Sequence, residues 1–223
     1  MPERRSYNPI WVQTLPIAHR GLHGPGAPEN SLAAFAAAAT AGYAIELDVH
    51  LLNGQLVVAH DAPDAKTAAA LPTLTEVLKI VAGRVPIDIE IKWPSTIAEL
   101  GPVLLALLEN HPGEIVVTSF DPRILIWLKR HAPQLPRGQL ASSLPNKPRW
   151  PRILRFLLRS MPLNLLARPQ FIVYDQRDYP SRTLSFWQHH LKIPVVLGTI
   201  TTEQQLATAR RYGCNVIFDH IRP

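Results

Sequence analysis

Between Ala18 and Asp61 the chain carries His19-Arg20-Gly21, Pro28-Glu29-Asn30-Ser31, Glu46-Leu47-Asp48-Val49 and Val58-Ala59-His60-Asp61, and Asp88-Ile89-Glu90-Ile91-Lys92 follows. Histidine is the side chain best matched to proton transfer near neutral pH, and His19 and His60 both fall at predicted strand ends. Residues two apart on a strand project to the same side, so Glu46 accompanies Asp48, and Asp88 and Glu90 accompany Lys92. Strands of a parallel sheet are ordinarily apolar on both faces, and acidic stripes there need a compensating charge. A cation is one explanation, with Glu46, Asp48 and Glu90 as ligands. Three carboxylates offer only oxygen, which selects a hard ion, Mg2+ or Ca2+, over zinc. Buried salt bridges to Arg20 and Lys92 are the other. Arg20 supplies a planar donor fork and Lys92 a compact point charge. Metal, arginine and lysine together suit a phosphodiester whose negative charge grows toward a pentacoordinate transition state.

The elements that must position these residues follow from apolar periodicity and turn signals. Strands are expected at Ile17-Ala18, Ala44 to Leu51, Pro86 to Lys92, Ile115 to Thr118, Arg137 to Ala141, Gln170 to Tyr174, Pro194 to Leu197 and Asn215 to Phe218. Asn53-Gly54 marks a hairpin that extends the second strand through Gln55 to Ala59. Helices are expected between the strands, the first opened by Asn30 or Ser31 and the next by Thr73 and Glu76 with capping-box spacing. Further helices are expected at Ser95 to Asn110, Pro122 to His131, Ser181 to His190 and Thr202 to Tyr212. Eight strand-helix alternations argue for a (β/α)8 TIM barrel, and 223 residues fit one such domain spanning 1–223.

Composition bounds the setting. The single cysteine, Cys214, allows no intramolecular disulfide and favours a reducing, cytoplasmic compartment. The N-terminal stretch lacks an apolar signal core, and no apolar run approaches membrane-spanning length. Net charge is +6, but Pro122 to Tyr174 holds ten Lys or Arg residues and no Asp or Glu. That half is expected to present an electropositive surface or simply a solvated one.

The motifs His19-Arg20-Gly21, Pro28 to Ser31, Glu46 to Val49, Asn53-Gly54, Val58 to Asp61, Pro72-Thr73-Leu74 with Glu76, and Ile89 to Lys92 resemble, in order, the glycerophosphodiester phosphodiesterase family. The resemblance is dense from Ile17 to Trp93, and later rests on Ser119-Phe120 and Gly213 to Asp219. It implies a barrel of the PLC-like phosphodiesterase type, one divalent cation (Mg2+ or Ca2+), and cleavage of glycerophosphodiesters to sn-glycerol 3-phosphate and an alcohol. By position it implies His19 and His60 as the acid-base pair, Glu46, Asp48 and Glu90 as metal ligands, and Arg20 and Lys92 as phosphate clamps. Glu29 and Asn30 would border the site. Three departures bear on substrate. Only Ala62 to Leu71 separates Asp61 from Pro72, where the family inserts a longer segment. Gly198-Thr199 stands where the family carries Trp-Thr. The closing Asp-x-Pro is stretched to Asp219-His220-Ile221-Arg222-Pro223.

The basic half suggests a further dimension. On a helix starting at Pro151, Arg152, Arg155 and Arg159 form one stripe and Ile153, Leu154, Phe156, Leu157 and Leu158 cover the rest. Peripheral contact with an anionic membrane through 149–168 is one expectation, and an ordinary barrel helix with its arginines in water is the other. Beside the site, such a helix would fit a lysophospholipid substrate and a lysophospholipase D-like enzyme. A non-catalytic phosphate- or membrane-binding relative is the alternative from another class, and no nucleic-acid-binding signature is present. His50 is expected to bond backbone, His23 to lie in a Gly-Pro loop with substrate contact the less favoured reading, and Cys214 to be core.

Overall fold

The computed structural model describes residues 9–63, 70–92, 96–142, 151, 153, 156 and 160–223. Nine strands form one sheet: β1 (Ile17–Ala18), β2 (Ala44–Leu52), β3 (Gln55–Val58), β4 (Ile87–Ile91), β5 (Ile115–Ser119), β6 (Arg137–Ala141), β7 (Phe171–Asp175), β8 (Val195–Ile200) and β9 (Asn215–Phe218). All except β3 pair in parallel, and β1 pairs with both β2 and β9, so the eight parallel strands close into a barrel. β3 lies antiparallel against the outer half of β2, from Val49↔Val58 to Leu52↔Gln55. Asn53 and Gly54 turn that hairpin with φ of 49° and 78°, the left-handed pair that a two-residue turn matched to strand twist requires.

Alternation along the strands sorts the barrel into two apolar layers. Ile45, Leu47 and Val49 of β2 and Ile87, Ile89 and Ile91 of β4 are fully buried in the outer layer, which includes Phe35, Val77 and Leu104 of the surrounding helices. The inner layer, with Ile17, Ala44, Val116, Leu140, Phe171, Val173, Val196 and Ile217, also takes in Trp11 and Val12 from the short helix Trp11–Thr14. That helix closes the strand-start end, where the Asn215 amide donates to the carbonyls of Val12 at 2.8 Å and Leu15 at 2.7 Å. With one end plugged by apolar side chains, the polar side chains of β2 and β4 face the other.

The helices begin where their caps dictate. The Ser31 hydroxyl accepts from the Ala34 amide and opens Leu32–Ala41, and Thr73 and Glu76 form a reciprocal capping box at Leu74–Val81. Asp121 caps Pro122–His131 with proline in the first turn, and Thr202 with Gln205 caps Glu203–Arg211. Two expected elements differ in detail. The Ser181 to His190 helix is α-helical over Arg182–Ser185 and widens to π over Phe186–His190. The strand expected to stop at Leu197 continues to Ile200, because its ladder to β9 skips from Leu197↔Val216 to Ile200↔Phe218. The intervening Gly198-Thr199 is a bulge, which apolar periodicity alone does not register. The helix expected from Pro151 falls largely on residues outside the described set.

Candidate active site

Register brings the charged residues together. Glu46 of β2 pairs with Asp88 of β4, and Asp48 with Glu90, which stacks four carboxylates in two rows on the inside of the barrel. Carboxylate oxygens of Glu46, Asp48 and Glu90 all lie within 4.8 Å of one another. Lys92, leaving β4 on the same side, places Nζ 3.1 Å from both Asp48 Oδ1 and Glu90 Oε1. Asp48 Oδ2 accepts from the Asn30 amide at 2.9 Å and lies 3.4 Å from Arg20 Nε. Arg20 in turn donates its backbone N–H to Glu46 Oε2 at 2.9 Å and a guanidinium N–H to Glu29 Oε1 at 2.7 Å. Salt bridges to Arg20 and Lys92, one of the two explanations offered by the sequence, are therefore present, yet they leave the three carboxylates clustered.

A glycine explains why Arg20 is presented this way. Gly21 has φ of +82°, and a Cβ there would lie 2.8 Å from the Ala34 carbonyl carbon. The His19-Arg20-Gly21 turn is thus pressed onto the alanine-rich helix, and Arg20 itself takes the left-handed conformation with φ of 54°. Asn30, also left-handed at φ of 54°, donates its backbone N–H to the Arg20 carbonyl at 3.0 Å. Two short loops are thereby tied to each other.

The protonation balance of the cluster follows from crowding. Burial, then the charges on Asp48 and Glu90, pushes the Glu46 carboxyl well above the usual range. Burial likewise raises Glu90 to about 7, against the opposing pull of Lys92. Burial works to raise Asp48 too, but Lys92, the Asn30 hydrogen bond and Arg20 together hold it below its ordinary value. Asp88, buried one layer deeper, is raised by burial and by Glu46, and accepts from the Thr118 hydroxyl at 2.8 Å. The cluster therefore carries more negative charge potential than its two cations neutralise. An all-oxygen donor set with excess negative charge fits a hard divalent cation.

The two histidines come from the ends of different strands, β1 and β3. His19 follows β1, with Nδ1 3.7 Å from Asp219 Oδ2 beyond β9. His60 follows β3, is 41% exposed, and lies 3.0 Å through Nδ1 from the exposed Asp61 carboxylate. Burial, with Lys92 and Arg20 nearby, holds the His60 imidazole below its ordinary value. A cavity of about 510 Å³ takes in His19, Arg20, Glu46, Asp48, His60, Glu90 and Lys92, with Phe120, Leu140 and Val173 on its apolar side. All seven residues singled out as catalytic, metal-binding or phosphate-binding line this one cavity. Glu29 and Asn30 stand behind it, holding Arg20 and Asp48.

The remaining expectations resolve as follows. His50 Nε2 lies 3.4 Å from the His60 carbonyl, the backbone contact foreseen for it. His23 turns away from the cavity and sits 2.8 Å from Asp219 Oδ1. Cys214 is buried. Gly198 and Thr199, at the position of the Trp-Thr pair that the resemblance led one to expect, line the cavity. Part of the short loop after Asp61 lies outside the described residues. The sequence did not single out Asp175 and Arg177, which pair at the cavity rim, because nothing in an isolated Asp-x-Arg after a strand distinguishes a rim pair from surface charge.

The fold and site together define a TIM barrel with an acidic, oxygen-only cluster at its open end. The family model described as the glycerophosphoryl diester phosphodiesterase family matches residues 19–70, the segment that supplies both histidines, Arg20, Glu46 and Asp48. Over that segment the chain resembles the family in pattern, and over nearly its whole length its fold is similar to that of solved glycerophosphodiester phosphodiesterases. A glycerophosphodiester phosphodiesterase from Parabacteroides distasonis is similar with a TM-score of 0.74 and 19% identity, 93% of each chain being covered. An Oleispira antarctica phosphodiesterase in complex with the product sn-glycerol-3-phosphate gives a TM-score of 0.71 and 20% identity over 92% of each chain. A calcium-dependent phosphoinositol-specific phospholipase C from Pseudomonas shares the fold more distantly, with a TM-score of 0.53 and 8% identity over 93% of this chain and 91% of the other. No curated protein is significantly similar to the chain.

Proposed function

We propose that this protein, as one barrel domain across residues 1–223, is a divalent-cation-dependent phosphodiesterase that hydrolyses small glycerophosphodiesters to sn-glycerol 3-phosphate and an alcohol. The observation that carries this reading is the convergence of three carboxylates, an arginine, a lysine and two histidines on one cavity. Glu46, Asp48 and Glu90 would hold the cation, Mg2+ or Ca2+, which when bound neutralises phosphate charge and polarises the phosphorus-oxygen bonds. Arg20 and Lys92 would grip the non-bridging oxygens, an attraction that grows in value as the transition state gains charge. His60, whose imidazole is held below its ordinary value, is fit to accept a proton, and His19, with Nδ1 3.7 Å from Asp219, completes the acid-base pair. The match to the family over residues 19–70 and the product named for the Oleispira antarctica relative support the substrate class.

Release of glycerol 3-phosphate or choline from glycerophosphocholine and lysophosphatidylcholine, with Mg2+, Ca2+ or EDTA, tests this. Inactivity toward both at every metal tested would sink the enzyme reading and leave a non-catalytic phosphate-binding relative.

A second reading, peripheral contact with an anionic membrane through 149–168, is favoured by one observation. Ile153, Phe156, Leu165 and Leu166 are 58–67% exposed within the basic half of the chain. Arg137, at the start of β6, donates to the carbonyls of Ala167 at 2.9 Å and Arg168 at 3.1 Å. Leu165 and Leu166 thus sit toward the strand-start end, away from the cavity, and they support docking of the protein rather than delivery of a lysophospholipid. Co-sedimentation with anionic vesicles at low salt tests contact, and its absence would remove it. Among the described residues no helix is long and apolar enough to cross a membrane. A cytoplasmic protein with peripheral attachment is the proposal consistent with Cys214 as a free thiol.

A further inference from the structure

A second cluster lies beside His19, which Asp219 of that cluster faces. Ligand atoms of His23, Asp219 and His220 all lie within 4.8 Å of one another. His23 Nε2 is 2.8 Å and His220 Nε2 3.5 Å from the same oxygen, Asp219 Oδ1, while Asp219 Oδ2 faces His19 Nδ1 at 3.7 Å. The two sides of one carboxylate therefore serve different neighbours. The His23 Nε2 atom is buried, and although it is close to Oδ1 its angle makes no hydrogen bond. The His23 and His220 rings meet edge to face at 5.2 Å.

Two imidazole nitrogens and one carboxylate oxygen form a borderline donor set, different in kind from the all-oxygen set of Glu46, Asp48 and Glu90. Such a set suits Zn2+ and its first-row neighbours, with three protein ligands and one position for water. Tetrahedral ligands at about 2.0–2.1 Å from zinc lie roughly 3.3 Å apart. His220 Nε2, at 3.5 Å from Asp219 Oδ1 on a ring that is 68% exposed, is already close to that span, and His23 Nε2, at 2.8 Å, has to open by roughly half an ångström to reach it. We propose that His23, Asp219 Oδ1 and His220 form a second metal site, selective for Zn2+ or a similar transition ion, separate from the Mg2+ or Ca2+ cluster.

The position gives the site a structural use. β1 is only Ile17–Ala18, and it joins β9 through two residue pairs, Ile17↔Ile217 and Ala18↔Phe218. His23 belongs to the loop that leaves β1, and Asp219 and His220 to the chain that leaves β9. An ion held by all three clips the barrel at a seam of only two residue pairs, and Oδ2 of Asp219 remains turned to His19.

The test uses tag-free, full-length protein, stripped with chelator and then held in excess Mg2+ so that the carboxylate cluster is occupied. Zn2+ is titrated by calorimetry, and Co2+ by its visible absorption, which reports tetrahedral nitrogen and oxygen ligation. We expect one equivalent of Zn2+, a Co2+ spectrum of four-coordinate type, and a rise in melting temperature. His220→Ala and His23→Ala should each weaken Zn2+ binding at least tenfold and abolish the melting shift, while Glu46→Gln leaves both in place. His220→Ala removes an exposed side chain and should fold and melt as the parent does without zinc. No Zn2+ binding to the Mg2+-loaded protein, or binding unchanged in His220→Ala and His23→Ala but lost in Glu46→Gln, overturns the proposal. Neither result depends on whether the protein hydrolyses a phosphodiester.

Discussion

Lys92 Nζ lies 3.1 Å from Glu90 Oε1, two positions away on the same side of the chain as it leaves β4. The ammonium thus offsets part of the charge of a carboxylate that the cation would also claim. Burial works to lower the Lys92 ammonium, but Glu90 and Asp48 outweigh it and raise the group above its ordinary value. Replacing Lys92 with Ala leaves buried carboxylates without that partner, a change that costs about 3–5 kcal/mol when nothing compensates. We expect a large loss of melting temperature in EDTA and a much smaller one in Mg2+ or Ca2+, with kcat/KM reduced at least a hundredfold. Equal destabilisation with and without metal would show that Lys92 and the cation do not share the cluster.

The raised carboxyls set the pH dependence of stability. Glu90, raised from an ordinary 4.5 to about 7, binds more protons folded than unfolded between those values. Stability from this group is full below the unfolded value and is lost as pH rises through the folded one. Glu46, raised well above the usual range, acts in the same direction. The metal-free protein should therefore melt at progressively lower temperature from about pH 5 to pH 8, and a bound divalent cation should flatten that slope. Melting curves across pH with EDTA and with Ca2+ measure it, and metal binding near pH 7 should release protons into solution.

His60 gives the opposite sign. Burial, Lys92 and Arg20 lower its imidazole below 6.5, so the folded protein binds fewer protons there than the unfolded chain. Its contribution to stability is present above 6.5 and is lost as pH falls through the lowered value. If His60 is the base, kcat/KM should hold at pH 6.5 and decline only below it. His60→Asn should lower kcat by about 10²–10⁴ and remove that acidic limb. The substitution should change stability little, because the side chain is 41% exposed. An unchanged acidic limb in the variant assigns it to another group.

Gly21 is the test of positioning without charge. Gly21→Ala would set a Cβ 2.8 Å from the Ala34 carbonyl carbon at a φ of +82°. Overpacking and backbone strain together predict a loss of about 1–3 kcal/mol. Because Arg20 is carried by the same turn, KM for a phosphodiester should rise as well, read by steady-state kinetics on the folded fraction. Gly26→Ala, where a Cβ would meet nothing within 4 Å, is the control, and its φ of +81° makes it strained but unobstructed.

The site and much of the fold were legible in the chain because both are written locally. Glu46 with Asp48 and Glu90 with Lys92 show their shared side through the two-residue period of a strand, and Ser31 and Thr73 announce helix starts through their own hydroxyls. Eight apolar runs at strand length, with helical runs between them, leave few folds other than a barrel. Local pattern also supplied the Asn53-Gly54 hairpin, since the turn depends on those two residues alone.

What only the tertiary structure decided were relations across the barrel. That Glu46 registers with Asp88 and Asp48 with Glu90 depends on the stagger of β2 against β4, which no single strand encodes. The bulge at Gly198-Thr199 arises where β8 must satisfy both β7 and β9, so neither residue announces it. Asp219 gained its neighbours because closure of the ring brings the last strand beside the first, joining residues 19, 23 and 219 about 200 positions apart. Composition and spacing determined which chemistry the chain could attempt. Closure of the barrel decided which charges share a space, because electrostatic energy depends on distance in three dimensions and not on distance along the chain.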